Sequence, residues 1–127
     1  MKAFLSIKFH ENLKNKQLIE DISKSLEKSG FSTTILIRDY EKWVKVKFTP
    51  QKLMELTFKL IEKSDYLIVE FSEKGVGLGI EAGYAHAKGI PIIVIAKTGS
   101  DISNTLNGIA KKVIFYDKPE DLVDKLK

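Results

Sequence analysis

Apolar residues in this chain gather into short unbroken runs, and the segments between them carry apolar residues at helical spacing. Five runs read as strands: Ala3–Ile7, Ser32–Ile37, Tyr66–Phe71, Pro91–Ala96 and Lys112–Tyr116. Several are continuous Ile/Val/Leu stretches rather than alternating ones. That pattern predicts strands buried on both faces, as in a parallel sheet. Leu13–Lys28 places Leu18, Ile19, Ile22 and Leu26 on one helical stripe, with Gly30 as the stop. Pro50–Lys63 opens on Thr49-Pro50, a cap followed by a first-turn proline, and carries Leu53, Leu56, Leu60 and Ile61 on one face. Helices are further expected over Leu78–Lys88, ended by Gly89-Ile-Pro91, then about Ser103–Ala110 and Pro119–Leu126. Strands alternating with helices predict an α/β three-layer sandwich. Its five-stranded parallel sheet has right-handed crossovers, in a flavodoxin- or Rossmann-like doubly wound arrangement.

Tyr40-Glu-Lys-Trp-Val-Lys-Val-Lys-Phe48 breaks the rhythm. Lys45 and Lys47 alternate with Val44, Val46 and Phe48, which predicts a half-buried strand or ribbon. Either it is a basic surface ribbon, or Trp43 stacks a base while the lysines meet phosphate.

The length of 127 residues fits one domain spanning 1–127. With no cysteine, disulfides, thiolate zinc sites and cysteine nucleophiles are excluded. No apolar run approaches the roughly 20 residues of a membrane span. Met1-Lys-Ala-Phe-Leu-Ser-Ile7 is too short an apolar run for a signal peptide, so the cytoplasm is the expected compartment. The net charge of +4 is mild and spread out, and Arg38 is the one arginine. It allows an anionic small ligand and does not call for nucleic acid. His10 and His86 lack the acidic spacing of a metal site, and no metal or cofactor is implied.

In a doubly wound sheet the ligand crevice lies beyond the carboxyl ends of the strands, near the switch point. Ser6–His10, Phe71–Glu81 and Lys97–Asn104 converge there. Gly75-Val-Gly-Leu-Gly-Ile-Glu-Ala-Gly-Tyr-Ala85 is the most informative segment. Gly75, Gly77 and Gly79 sit on a strand-to-helix turn, with Glu81 expected in the first turn of the helix. Glycine permits close backbone approach and positive φ, and a helix N-terminus offers free N–H groups to sugar or phosphate oxygens. Alternatively the segment is a tight turn, with an acid favoured at a helix start. Glu70 ends its strand on the crevice side, as a sugar-binding carboxylate or a satisfied structural one. Asp65 reads as a strand-start turn residue, His10 as a loop residue either facing a ligand or solvated, and His86 as structural.

Phe4-Leu-Ser-Ile-Lys-Phe9, Ser64-Asp-Tyr-Leu-Ile-Val-Glu70, Val76-Gly-Leu-Gly-Ile-Glu-Ala-Gly-Tyr-Ala85 and Gly89-Ile-Pro-Ile-Ile93 together resemble the nucleoside 2-deoxyribosyltransferase superfamily. That group includes the 2′-deoxynucleoside 5′-monophosphate N-hydrolases. The resemblance implies that Glu81 is the glutamate that attacks the anomeric carbon. Ser6, with Lys8 and Phe9, falls in the first phosphate- or sugar-binding loop, and Gly75, Gly77 and Gly79 form the second. Ser103 matches a phosphate-binding serine that relatives lend to a neighbouring subunit, which implies a homodimer or higher homo-oligomer. The chain departs from the pattern at four places. Thr57 stands where the family has a catalytic aspartate, Lys2 near an early tyrosine, Gly75 at a polar position, and Leu5 in place of a glycine.

The implied activity is N-glycosidic cleavage of, or deoxyribosyl transfer from, a nucleoside or its 5′-monophosphate. A carboxylate beneath the anomeric carbon captures an oxocarbenium-like species, and water or a second base then releases the sugar. The alternative is a nucleotide-binding module of the same fold without turnover. A third reading is single-stranded nucleic-acid binding through Trp43 and its lysines.

Overall fold

The computed structural model describes residues 1–126. The elements run β1 (Lys2–Ile7), α1 (Lys16–Lys28), β2 (Ser32–Thr34), α2 (Leu36–Asp39), α3 (Pro50–Glu62), β3 (Tyr66–Glu70), α4 (Val76–Ala87), β4 (Ile92–Lys97), α5 (Asn104–Ile109), β5 (Lys112–Tyr116) and α6 (Asp121–Lys125). The five strands form one sheet in the order β2-β1-β3-β4-β5, and every pairing is parallel. The order reverses at β1 and β3, so the switch point lies where Ser6 pairs with Val69 and Ile7 with Glu70.

The side-chain alternation of each strand decides what it feeds. Ala3, Leu5, Ile68, Ile93 and Ile95 pack with Ile19, Ile22 and Leu26 of α1 and Leu122 of α6. Phe4, Leu67, Val69, Ile92 and Val94 pack with Ile61 of α3, Ala82 and Ala85 of α4 and Leu106 of α5. Each fully buried aliphatic side chain contributes about 1.5–3 kcal/mol of transfer free energy. Extending the same alternation by two residues carries Ser6 onto the Phe4 face, toward α4. It carries Glu70 onto the Ile68 face, toward α1.

The helix boundaries follow their caps. Thr49 accepts from the Lys52 N–H at 3.3 Å at the head of α3, with Pro50 behind it. Gly30 and Gly89 follow the C-caps of α1 and α4 with φ of 100° and 73°, a left-handed turn that glycine adopts without steric cost.

Two predicted elements differ. The run Ser32–Ile37 is strand only to Thr34, and Leu36–Asp39 turns into a short helix. Asp39 explains the change: its carboxylate accepts from the Ile35 N–H at 2.9 Å and pairs with the Arg38 guanidinium at 2.8 Å. Burial works against ionisation there, but the Arg38 and Ile35 donors outweigh it and hold the Asp39 carboxyl below its usual range. The Arg38 fork continues to Ser23 Oγ at 2.7 Å and the Thr33 carbonyl at 3.0 Å, so side-chain bonding overrides the β-branched run. Tyr40–Phe48 is not a ribbon. It is a series of turns in which Lys42, Trp43 and Val44 have φ of 49°, 55° and 68°. Three consecutive non-glycine residues in the left-handed region cost roughly 1–2 kcal/mol each, so the surroundings must fix them. Trp43 is anchored between the Phe9 ring, 6.0 Å away, and the Lys16 ammonium, 4.9 Å over its face.

Candidate active site

Three hollows surround the carboxyl end of the sheet. The smallest, about 90 Å³, includes Ser6, Phe9, Leu36, Ile37, Glu41 and Glu81 in its lining. A second, of about 360 Å³, opens on the α1 side between His10, Lys14, Glu70, Glu73 and Lys97. A third, of about 700 Å³, is a largely apolar groove between α4 and α5, with Gly75, Val76, Gly79, Ser103 and Leu106 in its lining.

Glu81 reaches the first hollow because α4 begins earlier than its hydrophobic pattern predicts. The helix starts at Val76 with Gly75 as its N-cap, which puts Glu81 in the second turn rather than the first. Helical side chains lean toward the N-terminus, so the carboxyl lies back over the first turn. A Cβ on Gly77 would stand 3.6 Å from Glu81 Oε2. A side chain there would meet only ordinary contact, at Gly75 and Gly77, or open space, at Gly79, and none of the three needs glycine for its backbone conformation. Among the glycines only Gly30, Gly89 and Gly99 have positive φ, and Gly75 is extended.

Burial pushes the Glu81 carboxyl up from 4.5 to about 7, and the nearby Ser6 hydroxyl opposes that push only in part. Ser6 Oγ is fully buried and finds no partner within hydrogen-bonding geometry among the described residues. A desolvated carboxyl beside an unsatisfied hydroxyl, in a concave site, is the arrangement in which functional groups concentrate.

The remaining expected residues are distributed around this pair. Phe9 shares its hollow. Lys8 runs along the β3–α4 loop, its ammonium 3.4 Å from the Lys74 carbonyl oxygen. Gly79 and Ser103 belong to the α4–α5 groove on the other side of α4, and Gly75, at the helix head beside Lys8, borders it. Ser103 is the N-cap of α5 and accepts from the Leu106 N–H at 3.4 Å. Thr57 lines none of these hollows. It is buried in α3, and its hydroxyl donates to the Leu53 carbonyl at 2.8 Å. Asp65 accepts from the Lys2 N–H at 2.8 Å at the opposite end of the sheet, as a strand-start residue would. His10 pairs with Glu73 at 2.7 Å, and His86 is exposed.

Glu70 is satisfied. It accepts from the Ser72 N–H and the Ser72 hydroxyl, both at 2.7 Å, and from the Tyr116 hydroxyl. Burial, and then this bond to Glu70, raise the Tyr116 phenol above its ordinary range. Leu36, Ile37 and Glu41 were not legible as site residues in the sequence. They enter the hollow because the chain turns at Ile35 instead of continuing as a strand.

No protein-family model matches the chain. Over 132 residues it is 24% identical to "Putative 2'-deoxynucleoside 5'-phosphate N-hydrolase 1" of Thermofilum pendens, covering 99% of this chain and 92% of that protein. Its fold is similar to that of the CMP N-glycosidase of Clostridium botulinum, with a TM-score of 0.71 and 22% identity over 99% of this chain and 97% of the other. It is also similar to the 2-deoxyribosyltransferase of Bacillus psychrosaccharolyticus, with a TM-score of 0.70 and 14% identity over 98% and 91% of the two chains. The resemblance to the nucleoside 2-deoxyribosyltransferase superfamily is therefore supported by a relative over nearly the whole chain and by the fold.

Proposed function

We propose that the protein cleaves or transfers the N-glycosidic bond of a nucleoside or nucleoside 5′-monophosphate, with Glu81 as the nucleophile. The observation that carries this reading is the desolvated Glu81 carboxyl beside the unsatisfied Ser6 hydroxyl at the switch point. In its ionised form Glu81 attacks the anomeric carbon. The glycosidic bond breaks toward the base, and the carboxylate oxygen bonds to the sugar. Water, or a second base, then attacks the same carbon and frees Glu81. Ser6 donates its hydroxyl proton in a hydrogen bond to a sugar oxygen or to the carboxylate, which gives that buried group a partner.

Lys8, Gly75, Gly77 and the first N–H groups of α4 form the anion-holding side, suited to a 5′-phosphate. Thr57 stands where relatives carry an aspartate, but as an alcohol it offers no acid, and it is buried away from the hollow with its hydroxyl donating to the Leu53 carbonyl. The departing base then relies on other donors, and turnover is slow.

Ser103 does not line the Glu81 hollow within one chain; for it to hold phosphate at that site, a second copy has to supply it. Val76 is 81% exposed and Ile80 48% exposed, one helical turn apart beside the α4–α5 groove. They supply the apolar contact that a two-fold pairing would bury.

The direct test is to incubate the protein with a panel of nucleosides and 5′-monophosphates and follow free base by chromatography. Base release that requires Glu81 supports the enzyme. Binding with no release from any compound would leave the second reading, a nucleotide-binding module without turnover.

A further inference from the structure

The Glu81 hollow contains a carboxylate with no assigned work. Ser6, Glu41 and Glu81 are its polar side chains, and the walls around them are apolar, including Phe9, Leu36 and Ile37. If Glu81 and Ser6 attend the sugar, Glu41 is the polar group left to meet the base. We propose that Glu41 is a specificity-determining residue. Its carboxylate accepts a hydrogen bond from an exocyclic amino group of the base and so selects amino-bearing bases over their oxo counterparts. This rests on the reading of Glu81 as the sugar-facing residue.

Three observations converge on Glu41. Its carboxylate has no hydrogen bond or ion pair among the described residues, although Lys42 follows it directly. Its position is held by the backbone: the Glu41 N–H donates to the Leu36 carbonyl at 3.0 Å, and the Glu41 carbonyl accepts from the Val46 N–H at 2.9 Å. The left-handed residues that follow are fixed by Trp43 against Phe9, and Phe9 is itself a wall of the hollow. Partial burial disfavours the charge of this carboxyl and raises it above its usual range, as expected of an acceptor waiting for a donor. An amino group supplies that donor. An oxo group at the same place sets oxygen against oxygen and leaves the acceptor unpaired, which a site of this kind rejects.

Matched pairs differing in one substituent test the idea: cytidine and uridine 5′-monophosphates, and adenosine and inosine 5′-monophosphates, in ribo and deoxy series. The native protein should favour the amino member of each pair by about tenfold or more in base release. In Glu41→Gln the side-chain amide offers donors to an oxo group, and the preference should collapse or invert. In Glu41→Ala it should fall to near parity. Calorimetric binding of the same compounds to Glu81→Gln, with and without Glu41→Gln, reads the preference independently of turnover. Equal treatment of each pair by the native protein, or variants that keep the native ratio, would overturn the proposal. A binding preference that vanishes with Glu41, in a protein that releases no base at all, would uphold Glu41 and remove Glu81 from its role.

Discussion

Glu70 and Glu81 both stand at the carboxyl end of the sheet, one toward each face, and their surroundings are opposite. Glu70 is 3% exposed and receives hydrogen bonds from Ser72 twice and from Tyr116. Glu81 is desolvated with only the opposing influence of Ser6, and its carboxyl is pushed up to about 7. A buried carboxylate surrounded by donors is a fixed part of the framework. One left without donors is held in a state that a substrate can relieve. The difference between a supporting acid and a reacting one lies here in the donors each has been given.

Substituting each carboxylate in turn tests that contrast at its strongest. Glu81→Gln should lower base release by about four orders of magnitude while binding is largely retained, measured by single-turnover kinetics and calorimetry. An active Gln variant would end the contrast. Glu70→Ala strips the partner from Tyr116 and Ser72, and should cost about 2–4 kcal/mol in denaturant unfolding. A loss of turnover with unchanged stability would make Glu70 a reacting group after all.

The pH dependence sharpens the comparison further. The nucleophile must be ionised, so base release should rise about tenfold per pH unit below 7 and level off above it. The folded form prefers protonated Glu81, because its carboxyl lies at about 7 rather than 4.5. The stability this confers is therefore fully present below pH 4.5 and is lost as pH rises through 7. Glu81→Gln should flatten both curves. The smallest effect concerns the second copy. Light scattering should give a mass above that of a 14.4 kDa monomer. Ser103→Ala should then weaken monophosphate binding about tenfold and nucleoside binding hardly at all, because it removes one hydrogen bond to a charged group. A monomer, or equal losses for the two ligands, would remove Ser103 from the site.

The sheet, its parallel sense and the crevice were legible because strands buried on both faces leave unbroken apolar runs, as β3 and β4 do; the edge strand β5 keeps an apolar run although it is only partly buried. The place of Glu81 at the crevice was legible through the glycines before it, although its turn of the helix was not: α4 begins at Val76, ahead of its first buried residue, Leu78. The far wall of the hollow was hidden. The run from Ser32 to Ile37 has strand-like composition, and only the capping of Ile35 by Asp39 turns it away. The sequence shows an alternating Tyr40–Phe48 segment, but its conformation is decided by Trp43 docking on Phe9, a contact between residues distant along the chain.

The Ser72 hydroxyl does more than hold Glu70. It also accepts from the Lys97 N–H at 2.9 Å, while Tyr116 reaches the same carboxylate from β5. The tips of β3, β4 and β5 are thereby cross-linked beyond the last rungs of the sheet, where strand ends ordinarily fray. Backbone amides at Ser72 and Lys97 should accordingly exchange with solvent only when the whole domain opens. The crevice thus rests on a floor that stays in place as a ligand enters.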